Sequence, residues 1–318
     1  MPSHSSMPAP DAAAEAEAQW LTEALLGRSD CDIFRKLEEL RHHIRAMGFT
    51  PCFRSPAPAS SQPTIEHADV MYWVLQCMDQ ASELPKGFAR HTAWFLDIGS
   101  KSEGFSRYIL GNPRARGVGV NLDVWAASPS NRFELCELNL FDLVSCYLQS
   151  DLHSLPLSHN KFDFIILDED PSKPRLLVAQ LLLALHTVHD GGQILMTLQA
   201  IERPLTARIL IAFSRIADLV SVSKPQVQTW GSHFYMHAQT IRVDTPAYWK
   251  LKDNLHRLWN QTHTTHTRDP TWDEEDLITP WEEVMDESCM DLIAKLGNPL
   301  WGTQLKALNK ALSIVVDH

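Results

Sequence analysis

The sequence predicts an α/β fold, a parallel sheet with helices on both faces, and three observations carry that expectation. First, Trp94-Phe-Leu-Asp-Ile98 is a mostly apolar run that contains Asp97 and stops at Gly99, the pattern of a buried strand. Second, from that run to Val243, short apolar stretches alternate with segments of helical periodicity, as successive strand–helix units do. Third, after Asp244 the alternation ends and only helical patterns remain.

Taken in order, residues 1–10 are Pro/Ser-rich and expected to be disordered. Ala12 to Leu26 and Asp32 to Met47 read as helices, the second with Ile33, Leu37, Leu40 and Ile44 on one face and Gly48 as its stop. Prolines 51, 56, 58 and 63 make Thr50 to Thr64 a linker or strap, and His67 to Ser82 is a third helix. Beyond the Trp94 strand, Gly104 opens a helix carrying Phe105, Tyr108 and Ile109. Strands are expected at Arg116–Asn121, Phe133–Leu138, Phe162–Asp168, Gln193–Gln199, Leu219–Ser223 and Phe234–Val243. Helices are expected at Leu140–Leu148, at Pro174–His189, where Gly191-Gly192 ends the segment, and at Leu205–Ile216. The tail reads as helices Ala247–Trp259, Pro280–Leu296 and Pro299–Val316, the first with a core face of Trp249, Leu251, Leu255 and Leu258. Their narrow apolar faces (Leu292 and Leu296; Leu305, Leu308 and Leu312) need a surface to pack on. The domain reading is therefore 1–66 as a helical extension with linker, 67–244 as the sheet domain, and 245–318 as an acidic helical extension.

Composition narrows the function classes. The 318 residues carry a formal charge of −11, and the acidity is in the flanks. Residues 1–85 hold 6 basic and 12 acidic side chains, 86–244 hold 15 of each, and 245–318 hold 7 and 12. Long nucleic acid is usually met by a basic surface, which this chain lacks. No apolar run is long enough to cross a membrane, and the polar N-terminus resembles no targeting signal, so an intracellular, cytoplasmic or nuclear protein is expected. Six scattered cysteines without a Cys-x-x-Cys pair fit reduced thiols and give no zinc site. His263 and His266 lack a third ligand at matching spacing, and Trp272-Asp-Glu-Glu-Asp276 reads as a solvated face. No metal is expected.

The corner between the first strand and its helix is Gly-Ser-Lys-Ser-Glu-Gly, residues 99–104. A strand, a small-residue turn and a helix start present backbone N–H groups to a nucleotide-like ligand, whether NAD, FAD or S-adenosyl-L-methionine (SAM). The order of motifs narrows this choice. Leu96-Asp-Ile-Gly-Ser-Lys-Ser-Glu-Gly-Phe-Ser-Arg-Tyr108, Gly117-Val-Gly-Val-Asn-Leu122, Phe162-Asp-Phe-Ile-Ile-Leu-Asp168, Gly191-Gly192, Lys224-Pro225 and Phe234-Tyr235 resemble, in that order, the FtsJ-like SAM-dependent methyltransferases that act on RNA 2′-hydroxyls. The resemblance covers residues 94–243, about half the chain, and departs at Ser102-Glu103, where the family has Pro-Gly. It implies a Rossmann-like class I methyltransferase sheet with N- and C-terminal helical extensions, and SAM as cofactor.

On that resemblance Asp97, Gly99, Ser100, Gly104 and Phe105 belong to the SAM turn, Asn121 and Asp123 to the ribose, and Asn139 and Asp142 to the adenine edge. Each also has a structural reading: Asp97 caps a turn, Asn139 stops a strand. The family's Lys-Asp-Lys-Glu tetrad is kept at one of four positions. Asp168 matches the Asp, Thr197 stands at the second Lys and His233 at the Glu, while the segment Val70–Cys77 has no Lys and Lys86 is the nearby substitute. Asp168 and His233 are thus the candidate catalytic residues, imidazole being able to titrate near neutrality. The Asp168-Glu-Asp-Pro-Ser172 stretch also admits an Mg²⁺ reading, but Gln199 and Glu202 are the only later oxygen donors.

Three hypotheses follow. One is a SAM-dependent methyltransferase whose acceptor is RNA or a small molecule. Another is a non-catalytic module that keeps the fold and docks a protein partner through its acidic helical ends. The third, a nicotinamide oxidoreductase, is weakest, because no Gly-x-Gly-x-x-Gly follows the first strand and Tyr248-x-x-x-Lys252 lies outside the sheet.

Overall fold

The computed structural model describes residues 10–47, 67–82, 87–100, 103–120, 131–136, 138–149, 161–225, 229, 232–264 and 268–316. The Pro/Ser-rich start, the proline strap, Lys86, Asn121, Asp123 and His266 lie outside them, as does the side chain of His263. The strands are β1 (Trp94–Ile98), β2 (Arg116–Val120), β3 (Phe133–Leu135), β4 (Phe162–Leu167), β5 (Val188–Leu198), β6 (Ala217–Ser223) and β7 (Phe234–Ile241). The longer helices are α1 (Pro10–Gly27), α2 (Asp32–Ala46), α3 (His67–Ala81), α4 (Gly104–Leu110), α5 (Leu140–Gln149), α6 (Pro174–Thr187), α7 (Pro204–Ile216) and α8 (Pro246–Trp259). After them come the single turns α9 (Trp272–Glu275) and α10 (Trp281–Val284) and the long α11 (Glu287–Val316).

Among the described residues the strands form one seven-stranded sheet in the order β3-β2-β1-β4-β5-β7-β6. β1 pairs in parallel with β2 and β4, β2 with β3, and β4 with β5. β7 corrects the expectation of a wholly parallel sheet, for it runs antiparallel between β5 and β6. The link from β6 to β7 is too short for the crossover that a parallel pair requires, so the chain turns back instead. The expected break at Gly191-Gly192 is also corrected. α6 ends at Thr187, and the glycines lie inside β5 at an irregularity where pairing passes from Phe162–Val188 to Phe164–Gln193.

The two sheet faces carry separate cores. α3 and α4 cover one face with Met71, Leu75, Phe105 and Ile109 against Phe95, Phe164, Leu195 and Tyr235. On the other face, α5 to α8 share one apolar cluster with Leu21 and Leu25 of α1, Phe34 and Leu37 of α2, and Trp301 of α11. Each fully buried Leu or Phe of this kind contributes about 1.5–3 kcal/mol. The face of α2 is shifted from the expected one, with Phe34 buried and Ile33 38% exposed. On α8 Tyr248 is buried while Trp249 is 52% exposed.

Periodicity predicts two helices around Pro299, yet α11 runs through it. An interior proline costs about 3 kcal/mol, and packing on both sides of it outweighs that cost. Trp301 meets Phe34 with ring centroids 4.5 Å apart, and its ring lies where a β-carbon on Gly297 would be, 2.4 Å from its nearest atom. The acidic run 272–276 is solvated only in part: Asp273 is exposed, while Glu275 and Asp276 turn to a buried cation. The wholly buried Arg208 of α7 holds Glu17 of α1 through two bonds of 2.9 and 3.1 Å, Asp276 at 2.6 Å and Glu275 at 3.6 Å. One guanidinium thereby ties the N-terminal helix and the segment before α11 to the sheet domain.

Candidate functional site

The site is built where β1 ends. From β1 the chain winds outward to β2 and β3, then returns to place β4 on the other side of β1. Sheets of this kind hold ligands in the crevice beyond the carboxyl ends of the strands, at such a reversal of order. Here the β1 end is pinned from both neighbours. Gly99 N–H donates to the Val120 carbonyl at 3.0 Å, and Asp168 N–H donates to the Ile98 carbonyl at 2.9 Å. Gly99 has φ +77°, a conformation that a side chain would strain.

Asp97 lies beneath this turn with no exposure. Its carboxylate accepts hydrogen bonds from the Ser100 and Ser106 hydroxyls, which clamp the turn and the first residues of α4 onto the strand. Burial pushes its pKa up to about 6, while those hydroxyls pull in the opposite direction. In this conformation Asp97 and Ser100 organise the corner from below. Gly104 and Phe105 face the packing of α4: a β-carbon at Gly104 would lie 2.3 Å from the Ala68 carbonyl oxygen, and Phe105 meets the Tyr235 ring at 5.9 Å. Asn139 and Asp142 bond to each other at the start of α5, by 2.5 and 3.0 Å contacts. They form a helix cap on the exposed side of the β3–α5 connection.

Above Gly99 lies a residue that sequence reasoning does not single out. A β-carbon on Gly99 would be 2.2 Å from Cγ and 2.6 Å from Cδ of Glu169. The Glu169 side chain is therefore laid directly on the glycine. Its backbone N–H is directed at Oε1 of Gln180, which is buried on α6, at 3.3 Å. The only sequence signal for this arrangement is the adjacency of three carboxylates after β4.

The candidate catalytic positions are partly brought together. The Thr197 hydroxyl donates to Asp168 across the ends of β4 and β5. Thr197 pairs in register with Tyr235, so His233 comes from the same end of β7. The His233 residue is exposed, and its carbonyl accepts the Lys224 ammonium at 2.6 Å. Burial pushes Lys224 down to about 8, with Arg41 adding to the effect and Glu202 opposing it. Glu202 joins a polar seam with the helical extensions. Arg41 of α2 reaches Glu202 at 2.9 Å and Gln304 of α11 at 2.8 Å, while the Trp301 indole donates to Glu202 at 3.3 Å. Among the described residues no group of three or more His, Cys, Asp or Glu side chains is arranged to hold a metal, and no helix is long and apolar enough to cross a membrane.

The sequence matches no protein-family profile and no curated protein. Solved structures do resemble it. One, assigned as a ribosomal RNA methyltransferase from Plasmodium falciparum, is 15% identical, with 54% of this chain and 96% of that one covered at a TM-score of 0.38. An O-methyltransferase from Bacillus cereus, in complex with S-adenosylhomocysteine (SAH), is 14% identical over 73% of this chain and 100% of its own, at 0.33. Human methyltransferase-like protein 13, also in complex with SAH, is 15% identical over 60% and 88%, at 0.37.

Proposed function

We propose that this chain is a SAM-dependent methyltransferase with an incomplete version of the catalytic group used on RNA 2′-hydroxyls. The observation that carries the reading is the β1 corner. Gly99 at positive φ sits over the buried Asp97–Ser100–Ser106 clamp, at the reversal of strand order between β1 and β4. In this reading the Gly99 backbone would receive the amino-acid tail of SAM once one side chain, that of Glu169, is displaced. SAM supplies a methyl group already activated by its sulfonium, so the protein's share of catalysis is largely alignment.

In this reading Asp97 holds the turn, Gly99 admits the ligand close to the backbone, and Asp168 faces the acceptor. Thr197 gives Asp168 a neutral hydroxyl where the resembled family has a lysine amine, and so adds no positive charge. His233 offers an exposed imidazole at the same end of the sheet. The acceptor is then a small hydroxyl or amine compound rather than RNA, whose phosphates find few cations on a chain of net charge −11.

A second reading, a non-catalytic module with a protein partner at its acidic helical ends, is favoured by one observation: the Glu169 side chain covers the ligand seat. Transfer of labelled methyl from SAM separates the two. We expect label on a small hydroxyl or amine acceptor, lost in Asp168→Ala, and little on capped or uncapped RNA. SAM binding without transfer to any acceptor class would favour the second reading.

A further inference from the structure

The carboxylates after β4 are not equivalent. Asp168 is engaged by the Thr197 hydroxyl. Asp170 accepts from the Ser172 backbone at 3.0 Å and hydroxyl at 2.6 Å, and Lys173 lies 3.9 Å away. Glu169 alone of the three is folded back onto Gly99, with Cγ and Cδ against the glycine and Oε1 2.9 Å from the position of a β-carbon. Its backbone N–H is held toward the buried Gln180 amide, which fixes the root of the side chain. Meanwhile Asp97, the carboxylate that the resemblance places in the SAM turn, has no exposure and both oxygens are taken by serine hydroxyls.

From this division of labour we propose that Glu169 is the counter-ion for the α-ammonium of the ligand's amino-acid tail. Glu169 lies over Gly99 and turns to meet the ammonium as the ligand enters. The proposal rests on the SAM reading above, and it assigns to Glu169 the charge recognition that Asp97 is too deeply buried to make directly. A carboxylate–ammonium contact is a charge-assisted hydrogen bond, about twice as strong as one between neutral groups. The glycine beneath is then required twice, for its φ and for the room that the carboxylate needs to lie down.

The test is calorimetric titration of wild type, Glu169→Gln and Glu169→Ala with SAH and with methylthioadenosine, which keeps the nucleoside and lacks the amino-acid tail. Glutamine preserves the shape and removes the charge. We expect Glu169→Gln to weaken SAH binding about tenfold or more, equivalent to roughly 1.4 kcal/mol, at an unchanged melting temperature. Methylthioadenosine should bind wild type and variant alike; if it is too weak to measure, the SAH ratio at unchanged melting temperature decides. Unchanged or tighter SAH binding by either variant would make Glu169 a mere plug and overturn the proposal, as would equal losses for both ligands. Absence of SAH binding by wild type would instead remove the SAM reading itself, and this assignment with it.

Discussion

The Thr197 hydroxyl donates to Asp168, bridging the carboxyl ends of β4 and β5 at the place where, in the proposed reading, a lysine amine would stand in a 2′-O-methyltransferase of the resembled family. A hydroxyl satisfies the carboxylate but cannot lower the pKa of an incoming alcohol by charge. General acid–base assistance is worth roughly 10²–10⁴-fold, so RNA 2′-hydroxyl transfer should fall below that of complete enzymes by about that factor. Thr197→Lys alone should not restore it, because His233 still replaces the Glu. Label transfer to capped RNA decides this: robust wild-type transfer abolished by Asp168→Ala would mean that the missing lysines matter little.

The Arg208 cluster should govern how the terminal helices stay docked. Its guanidinium faces three carboxylates, from Glu17, Glu275 and Asp276. Arg208→Ala leaves the buried Glu17 without its cation and is expected to cost about 3–5 kcal/mol in chemical denaturation. Burial, with Glu17 and Asp276 nearby, pushes Glu275 up to about 8 against the pull of Arg208. A carboxyl whose folded pKa is raised stabilises fully below its unfolded value near 4.5 and loses that contribution as pH rises to about 8. Glu275→Gln should therefore be near wild type at pH 5 and more stable at pH 8. A variant with the wild-type slope across that window would show that Glu275 is already ionised.

Asp97 makes a parallel prediction with a different window. Its folded pKa of about 6 against an ordinary value of 3.8 means that ionisation works against folding as pH rises between those values. Asp97→Asn keeps an acceptor for one serine and offers a donor to the other, so it should match or exceed wild-type stability at pH 7. The advantage should vanish near pH 4. Asp97→Ala orphans both hydroxyls, and it should cost about 1–3 kcal/mol and weaken SAH binding as the turn loosens. Equal stabilities of Asn and Ala variants at pH 7 would contradict the clamp.

Much of this fold is legible in the sequence because strand and helix periods are local properties. The β1 run and the α4 start follow from short stretches, while Asp168 and Thr197 stand out only through the resemblance. What escapes depends on distant partners. Pro299 stays helical because Trp301 packs on Phe34, which periodicity does not record. Glu275 and Asp276 look solvated in sequence because their cation, Arg208, is far away along the chain. At the site, Asp97 stands out by its place in an apolar strand, but nothing local shows that Ser106, nine residues on, satisfies it. The role left open for Glu169 is hidden for the same reason.

Calorimetric titration of the wild-type protein with SAH tests the central claim most directly. The β1 corner predicts saturable one-to-one binding with a dissociation constant in the micromolar range, about −8 kcal/mol, and its loss in Gly99→Val, whose side chain would meet Glu169 and strain φ. No heat of binding at ligand concentrations up to about 1 mM would contradict it.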